Sequence, residues 1–313
     1  MKRHFFWTIL TFVSILLCTF LAEGTNTYSI YFASDRKGNL DIYSCFYPSR
    51  GEPKNLTSAN PCVDTEPCVS GDGKKLIYTA YSRDGRAQIF IMNVDGSDKK
   101  QLTSSSGTNK MPSFSGDGKK TVFISTRDKN EEVYTMNSDG SNQKRLTFDK
   151  PVKEQPLSYD SPMPPTVEVT RDRDPSFFPD GKKILWTSYR DGNADLFVMN
   201  VDGSKQVHLT NTTVHYHNIQ AIVSPDGNNI IWASDRDGDY DLFTMKSDGT
   251  GIRHLTKGGF GSHCPHFSRD RKKIVFCSDL QGPNWQIFIM DSGGKNIEKA
   301  FSSSSDDWTP SIY

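Results

Sequence analysis

Four histidines and four carboxylates set the chemical possibilities of this chain. His215 and His217 form a His-x-His pair, and His263 and His266 lie close together further on. Imidazole nitrogens are borderline-soft ligands, so three such side chains meeting at one point could hold a transition metal. Asp64 with Glu66, and Asp172 with Asp174, repeat a carboxylate-x-carboxylate spacing. Two carboxyl groups on either side of a bond can act as general acid and general base. Read together, these residues suggest a metal-dependent carbohydrate-active or other hydrolytic enzyme. Read separately, they are loop and strand-end polar groups, and the chain is a binding protein with no catalytic residue, metal or cofactor. The elements that place them decide between the two.

Those elements repeat. In the cleanest copy, Ser188-Tyr189-Arg190-Asp191-Gly192 is followed by Leu196-Phe197-Val198-Met199, then Asp202-Gly203, then Leu209-Thr210. The arginine recurs at Arg36, Arg83, Arg127, Arg190 and Arg236, with Leu280 in a sixth copy, at spacings of 47, 44, 63, 46 and 44. A period in the forties signals repeated small β-sheets. Each copy divides into four strands. In the fourth, strand A is Pro175–Phe178 and strand B is Lys183–Thr187, joined by Asp180-Gly181. Asp-Gly in a two-residue turn is expected to supply the positive φ that matches strand twist. Strand B carries an aromatic at one register (Phe32, Tyr78, Phe123, Trp186, Trp232, Phe276), and strands B and C are nearly continuously apolar, as sheets covered on both faces require. The fold class is therefore all-β, a six-bladed β-propeller of four-stranded antiparallel blades spanning 25–313. The first copy begins with strand B, and Thr309–Tyr313 matches the start of strand A, so this last segment is expected to complete the first blade and close the ring.

The A–B and C–D turns are uniform and lie on one face. The D-to-A connections vary and surround the channel mouth on the other, where specificity is expected. Relative to the strand-A proline, three rings of residues follow. The outermost is Asp64, Asn109, Asp172, Asn218, Ser262 and Asp307; next come Thr65, Lys110, Arg173, Ile219, His263 and Trp308; last come Glu66, Met111, Asp174, Gln220, Cys264 and Thr309. The mouth candidates for binding a partner are Asp64, Glu66, Lys110, Asp172, Arg173, Asp174, Asn218, Gln220, His263 and Trp308, with Arg173 and Trp308 as anchors. A Pro-rich insertion at about 149–169 separates blades three and four and could act as a lid or contact. Cys62 and Cys68 share one connection and could pair. If Asp270-Arg271 is a two-residue turn, Cys264 and Cys277 stand directly opposite each other, within disulfide reach.

Basic and acidic side chains number 37 each, which leaves no electrostatic footprint for nucleic acid or an anionic membrane. Residues 1–24 read as a signal peptide: Met1–His4 is basic, Phe5–Leu17 apolar, and cleavage is expected near Gly24. Cys18, after Ile15-Leu16-Leu17, offers a lipoprotein anchor as the rival reading, although Leu17 is large for that motif. The mature chain carries no apolar run long enough for a membrane span.

Ser224-Pro225-Asp226-Gly227, the Ser-x-Arg-Asp-Gly turns, Val198–Ser204 and Leu-Thr resemble the TolB-type propeller repeat, from about residue 28 to 313. The resemblance implies a propeller in the periplasm of Gram-negative bacteria that belongs to the Tol-Pal envelope system and binds a lipoprotein. TolB itself carries an α/β domain ahead of its propeller; here the signal segment runs directly into the first blade. The expectation is an exported, periplasmic or secreted, monomeric, non-catalytic propeller that docks a protein or cell-envelope component at its mouth. The alternative resembles the oligogalacturonate lyases, seven-bladed propellers with a His-rich metal site.

Overall fold

The computed structural model describes residues 27–48, 51–58, 62–148, 172–211 and 216–313. The signal segment 1–24 with Cys18, the insertion at about 149–169, and His215 lie outside the described residues. No helix among the described residues is long and apolar enough to cross a membrane.

The described strands form six four-stranded antiparallel sheets. In blade one, strands Tyr28–Ser34, Asp41–Tyr47 and Lys54–Asn55 are joined on the inner edge by Asp307–Ile312. This closure pairs Ile30 with Ile312 and Tyr31 with Ser311, and Ser29 and Tyr313 exchange backbone hydrogen bonds of 2.9 Å. Six core clusters fill the spaces between blades; Trp186, Trp232, Phe123 and Phe276 are among the largest fully buried side chains. Each outermost strand is only two residues long, and Lys54, Lys100 and Lys144 reach from it to the carbonyl oxygen of Asp95, Asp139 and Asp202 in the next blade. Short, basic edges discourage pairing with other chains.

Three expectations need correction. The inner strands start three residues before the proline, as Asp172–Phe177 shows, so the polar rings lie inside strands rather than in loops. The A–B turns are not two-residue turns. Ser70 and Lys75 close a four-residue loop in which Gly73 alone takes positive φ (71°), while Asp72 accepts hydrogen bonds from the Ser70 hydroxyl and the Lys74 N–H. Finally, Arg83 is not the counterpart of the other repeat arginines. Tyr78 pairs with Phe90 as Phe32 pairs with Tyr43, and Ala80 with Gln88 as Ser34 with Asp41, so the blade-two hairpin is one residue longer. Ser82 occupies the arginine position, and Arg83 is exposed.

The shared motifs are consumed by the ring itself. The Thr of Leu-Thr accepts the strand-C N–H, as Thr57 does from Ile42 and Thr210 from Leu196, both at 2.9 Å. The C–D glycines have positive φ, and at Gly140 there is no room for a side chain: a Cβ would sit 2.8 Å from the Leu102 carbonyl oxygen of the preceding blade.

Candidate functional site

The inner strand of every blade carries the same irregularity. One residue takes a left-handed conformation and shifts the register: Glu66, Met111, Asp174, Gln220, Cys264 and Thr309, with φ between 46° and 55°. None is glycine, and a left-handed backbone costs about 1–2 kcal/mol per such residue. Links between blades offset that cost. The Glu66 N–H donates to Thr309 Oγ1 (3.3 Å), Met111 to Glu66 Oε2 (2.8 Å), Asp174 to Met111 Sδ (3.5 Å), Gln220 to Asp174 Oδ2 (3.1 Å) and Cys264 to Gln220 Oε1 (2.9 Å). Each bulge thus hands its side chain to the next blade, around most of the channel. At the remaining junction the Cys264 thiol is taken up by Cys277 of its own blade.

The bulges sort the three polar rings by depth. The outermost ring is buried: Asp64, Asn109, Asp172, Asn218 and Asp307 are all 0% exposed. Asp64, Asp172 and Asn218 are therefore not mouth residues, contrary to the sequence expectation. Where the blade carries the repeat arginine, the residue of this ring holds it. Arg36 reaches Asp307 at 2.8 Å, and Arg127 and Arg236 reach Asn109 and Asn218 at the same distance. Each of these guanidiniums also donates through Nε to the serine two residues earlier and lies over two aromatic rings, Phe32 and Tyr43 in blade one. Blade six lacks the arginine and also lacks the acceptor: Leu280 packs beside Phe276 and Phe288, and Ser262 takes the ring position.

Glu66, Asp174 and Gln220 line a channel cavity of about 180 Å³. Burial among channel walls pushes the Asp174 carboxyl up to about 6, against the pull of Arg173 and the Gln220 N–H. Glu66 is occupied by the Thr79 hydroxyl (2.6 Å) and the Met111 N–H. Glu66 and Asp174 share this cavity, but each already accepts a backbone N–H of the next blade, while Asp64 and Asp172 are buried outside it; these commitments do not favour the acid–base reading of Asp64, Glu66, Asp172 and Asp174.

The second ring is polarised. On blades three and four, Lys110 and Arg173 both reach Glu131, at 2.5 and 3.5 Å. Burial works against the Arg173 charge, but Glu131, Tyr189, Asp174 and Glu66 outweigh it and hold the guanidinium protonated. On the opposite side, blades six and one, His263 packs edge-on against Trp285 (5.2 Å), which packs on Trp308 (5.0 Å), with Tyr240 4.6 Å from His263. Glu131, Trp285 and Tyr240 sit in or beside the B–C connections, from which the sequence analysis selected no residue. The aromatic directly before strand C, Tyr240 in blade five and Trp285 in blade six, was the available signal.

The histidines do not converge. His217 bonds Asp235 at 3.0 Å, His263 Nδ1 stands 3.3 Å from Gln220, and His266 Nδ1 lies 3.0 Å from its neighbour's carbonyl oxygen. Among the described residues no three His, Cys, Asp or Glu could hold a metal ion together. Burial pushes His263 and His266 down to about 4. An unfolded histidine takes its proton near 6.5, so each folded one contributes stability above that value and loses it as pH falls toward 4. His266→Gln is expected to remove about one proton from the pH slope, about 1.4 kcal/mol per pH unit between pH 6.5 and 4. Urea melts across that range check this; an unchanged slope would show that His266 is not buried neutral.

The five cysteines of the described residues are free thiols. The bulge at Cys264 moves the register, so Cys277 faces His263 across the ladder, not Cys264 as expected; the two thiols nevertheless remain in hydrogen-bond contact. Cys62 precedes the strand Val63–Val69 and Cys68 lies near its far end. At about 3.3 Å per extended residue, six residues put them on the order of 20 Å apart, beyond disulfide reach.

With this geometry in place, likeness to known proteins is specific. The model of the TolB beta propeller domain family matches residues 55–162. The crystal structure of TolB from Acinetobacter baumannii superposes with a TM-score of 0.74 at 21% identity, covering 91% of this chain and 66% of that one. The chain is a TolB-like β-propeller. A TolB homolog of Chlorobium luteolum is 27% identical over 140 residues, 32% of either chain. The Tol-Pal system protein TolB of Alcanivorax borkumensis is 33% identical over 73 residues, 23% of this chain and 16% of that protein. The alignments with these curated relatives span a third of their length or less, so what is common is the TolB-like propeller. The same propeller carries its variable residues at the mouth and its shared ones inside the blades.

Proposed function

We propose that this TolB-like propeller is an exported, non-catalytic binding protein of the periplasm that docks a protein or other cell-envelope component at its channel mouth. The observation that carries this reading is the polarity of the mouth. Lys110 and Arg173 face the aromatic group His263, Trp285 and Trp308 across the channel, on blades opposite each other in the ring. Arginine and tryptophan are the side chains that most often dominate protein interfaces, and a charged anchor opposite an apolar one fixes a partner's orientation. The relatives named for TolB and the Tol-Pal system support an envelope setting. Replacing Arg173 and Trp308 by alanine is expected to lower partner recovery from an envelope extract at least about tenfold, as loss of two anchors would. Unchanged recovery would move the docking site elsewhere.

A further inference from the structure

Two thiols meet in the channel wall. The Cys264 side chain turns back onto Cys277 of its own blade and packs against the core cluster to which Cys277 belongs. Cys277 Sγ lies 3.5 Å from the carbonyl oxygen of His263, the residue before Cys264. Blade two shows that the fold itself brings these two positions together. There the ladder pairs Thr65 with Thr79, as it pairs His263 with Cys277, so Glu66 and Thr79 are the counterparts of Cys264 and Cys277. The Glu66 and Thr79 side chains touch at 2.6 Å. The bulge is what allows this. In a regular strand His263 and Cys264 would point to opposite faces, whereas the left-handed residue turns its side chain onto the face that Cys277 occupies. The two thiols differ in access: Cys264 is partly exposed and lines the channel cavity of about 180 Å³, and Cys277 is 0% exposed.

We propose that Cys264 and Cys277 form a reversible disulfide in the channel wall, made by exchange with a low-molecular-weight disulfide that enters the channel. The Cys264 thiolate attacks one sulfur of the incoming disulfide and expels one thiolate, which leaves a mixed disulfide. The Cys277 thiolate then attacks Cys264 Sγ, closes the internal bond and expels the second. The two cysteines lose two protons and two electrons, and the incoming disulfide becomes two thiols. The hydrogen bond with Cys277, together with burial, pushes the Cys264 thiol well above the usual range, so exchange is slow near neutral pH and accelerates as pH rises. Once formed, the bond ties the inner-strand bulge of blade six to the strand Lys273–Ser278, directly beside His263 on which Trp285 packs. It therefore fixes the aromatic side of the mouth.

The probe is 2-hydroxyethyl disulfide, a slim aliphatic disulfide, added to the folded protein at mildly alkaline pH. Acid-quenched, non-reduced peptide mapping by mass spectrometry reads the product. The expected product is a Cys264–Cys277 cross-link lighter by two hydrogens, with no cross-link to Cys45, Cys62 or Cys68. Cys277→Ser is expected to stop at the mixed disulfide on Cys264, and Cys264→Ser to leave the buried Cys277 unmodified. Closing a hairpin of this length should raise the folding equilibrium constant on the order of 100-fold, seen as a higher urea midpoint that dithiothreitol returns to its starting value. No reaction at Cys264, a mixed disulfide that persists there in the wild type, a cross-link to another cysteine, modification of Cys277 in Cys264→Ser, or a cross-link that lowers the urea midpoint would overturn the proposal. The wild-type map decides the matter even where a variant fails to fold. The measurement reads the bond itself, so its failure leaves the docking reading untouched.

Discussion

A chain ending before Thr309 is expected to lose the cooperative unfolding of the intact ring. The strand Asp307–Ile312 is the inner strand of blade one, yet it is supplied from the far end of the chain. Its loss strips Ile30 and Tyr31 of their partners and removes Ile312, which is 2% exposed, from the core shared by blades six and one. It also removes Thr309 Oγ1 and Ser311 Oγ, which accept the Glu66 and Val69 N–H groups of blade two. Losing one buried isoleucine alone costs about 2–5 kcal/mol, and a whole domain has only about 5–15 kcal/mol of stability. Urea melts followed by circular dichroism should show a midpoint collapse, and a synthetic peptide of the missing strand added in excess should restore part of it. A truncated chain with the midpoint of the intact one would refute ring closure by this strand.

The second large effect concerns the arginine staples. Arg36→Ala leaves the Asp307 carboxyl, 0% exposed, without the guanidinium 2.8 Å away. Burial already raises the Asp307 carboxyl above the usual range, and Arg36 is among the groups holding it down. Removing one partner of a buried pair costs about 3–5 kcal/mol. Blade six contains the compensated alternative, Leu280 with Ser262. The double variant Arg36→Leu/Asp307→Ser should therefore be more stable than Arg36→Ala, recovering more than half of the loss. A double-mutant cycle measured by denaturant unfolding decides it. Additive losses would mean that the guanidinium acts only as a cover for the aromatic pair.

These expectations show what a repeated sequence discloses. Blade number, strand order and closure were legible because the aromatic register and the Asp-Gly turns recur in nearly every copy, and the ends of the chain complement each other. The depth of the polar rings was not legible. Asp64 and Lys110 differ by one position within the ring alignment, and that position decides between full burial and the mouth. The reason is the bulge, and its signal is hidden: the left-handed residue precedes proline in five blades, where a left-handed backbone is not what sequence suggests. The same bulge moved Cys277 from Cys264 to His263. Arg83 misled for another reason. A Ser-Arg-Asp-Gly string is present in blade two, but the extra residue shifts it out of register, and only the pairing of Tyr78 with Phe90 reveals that Ser82 holds the place. His217 and His266 stand near each other in the chain's repeat pattern, yet strand geometry gives them unrelated partners.

The central claim is that the mouth, not the face of uniform turns, is where this propeller meets its partner. The most direct measurement compares two double variants for partner recovery from the same envelope extract. Arg173→Ala/Trp308→Ala alters the mouth; Arg271→Ala/Lys272→Ala alters the A–B turn of blade six on the opposite face, where Arg271 makes an exposed 2.8 Å contact with Asp226. Both variants must melt as folded rings. The account predicts loss of recovery for the mouth variant and wild-type recovery for the turn variant. Wild-type recovery by the mouth variant, with loss in the turn variant, would contradict it.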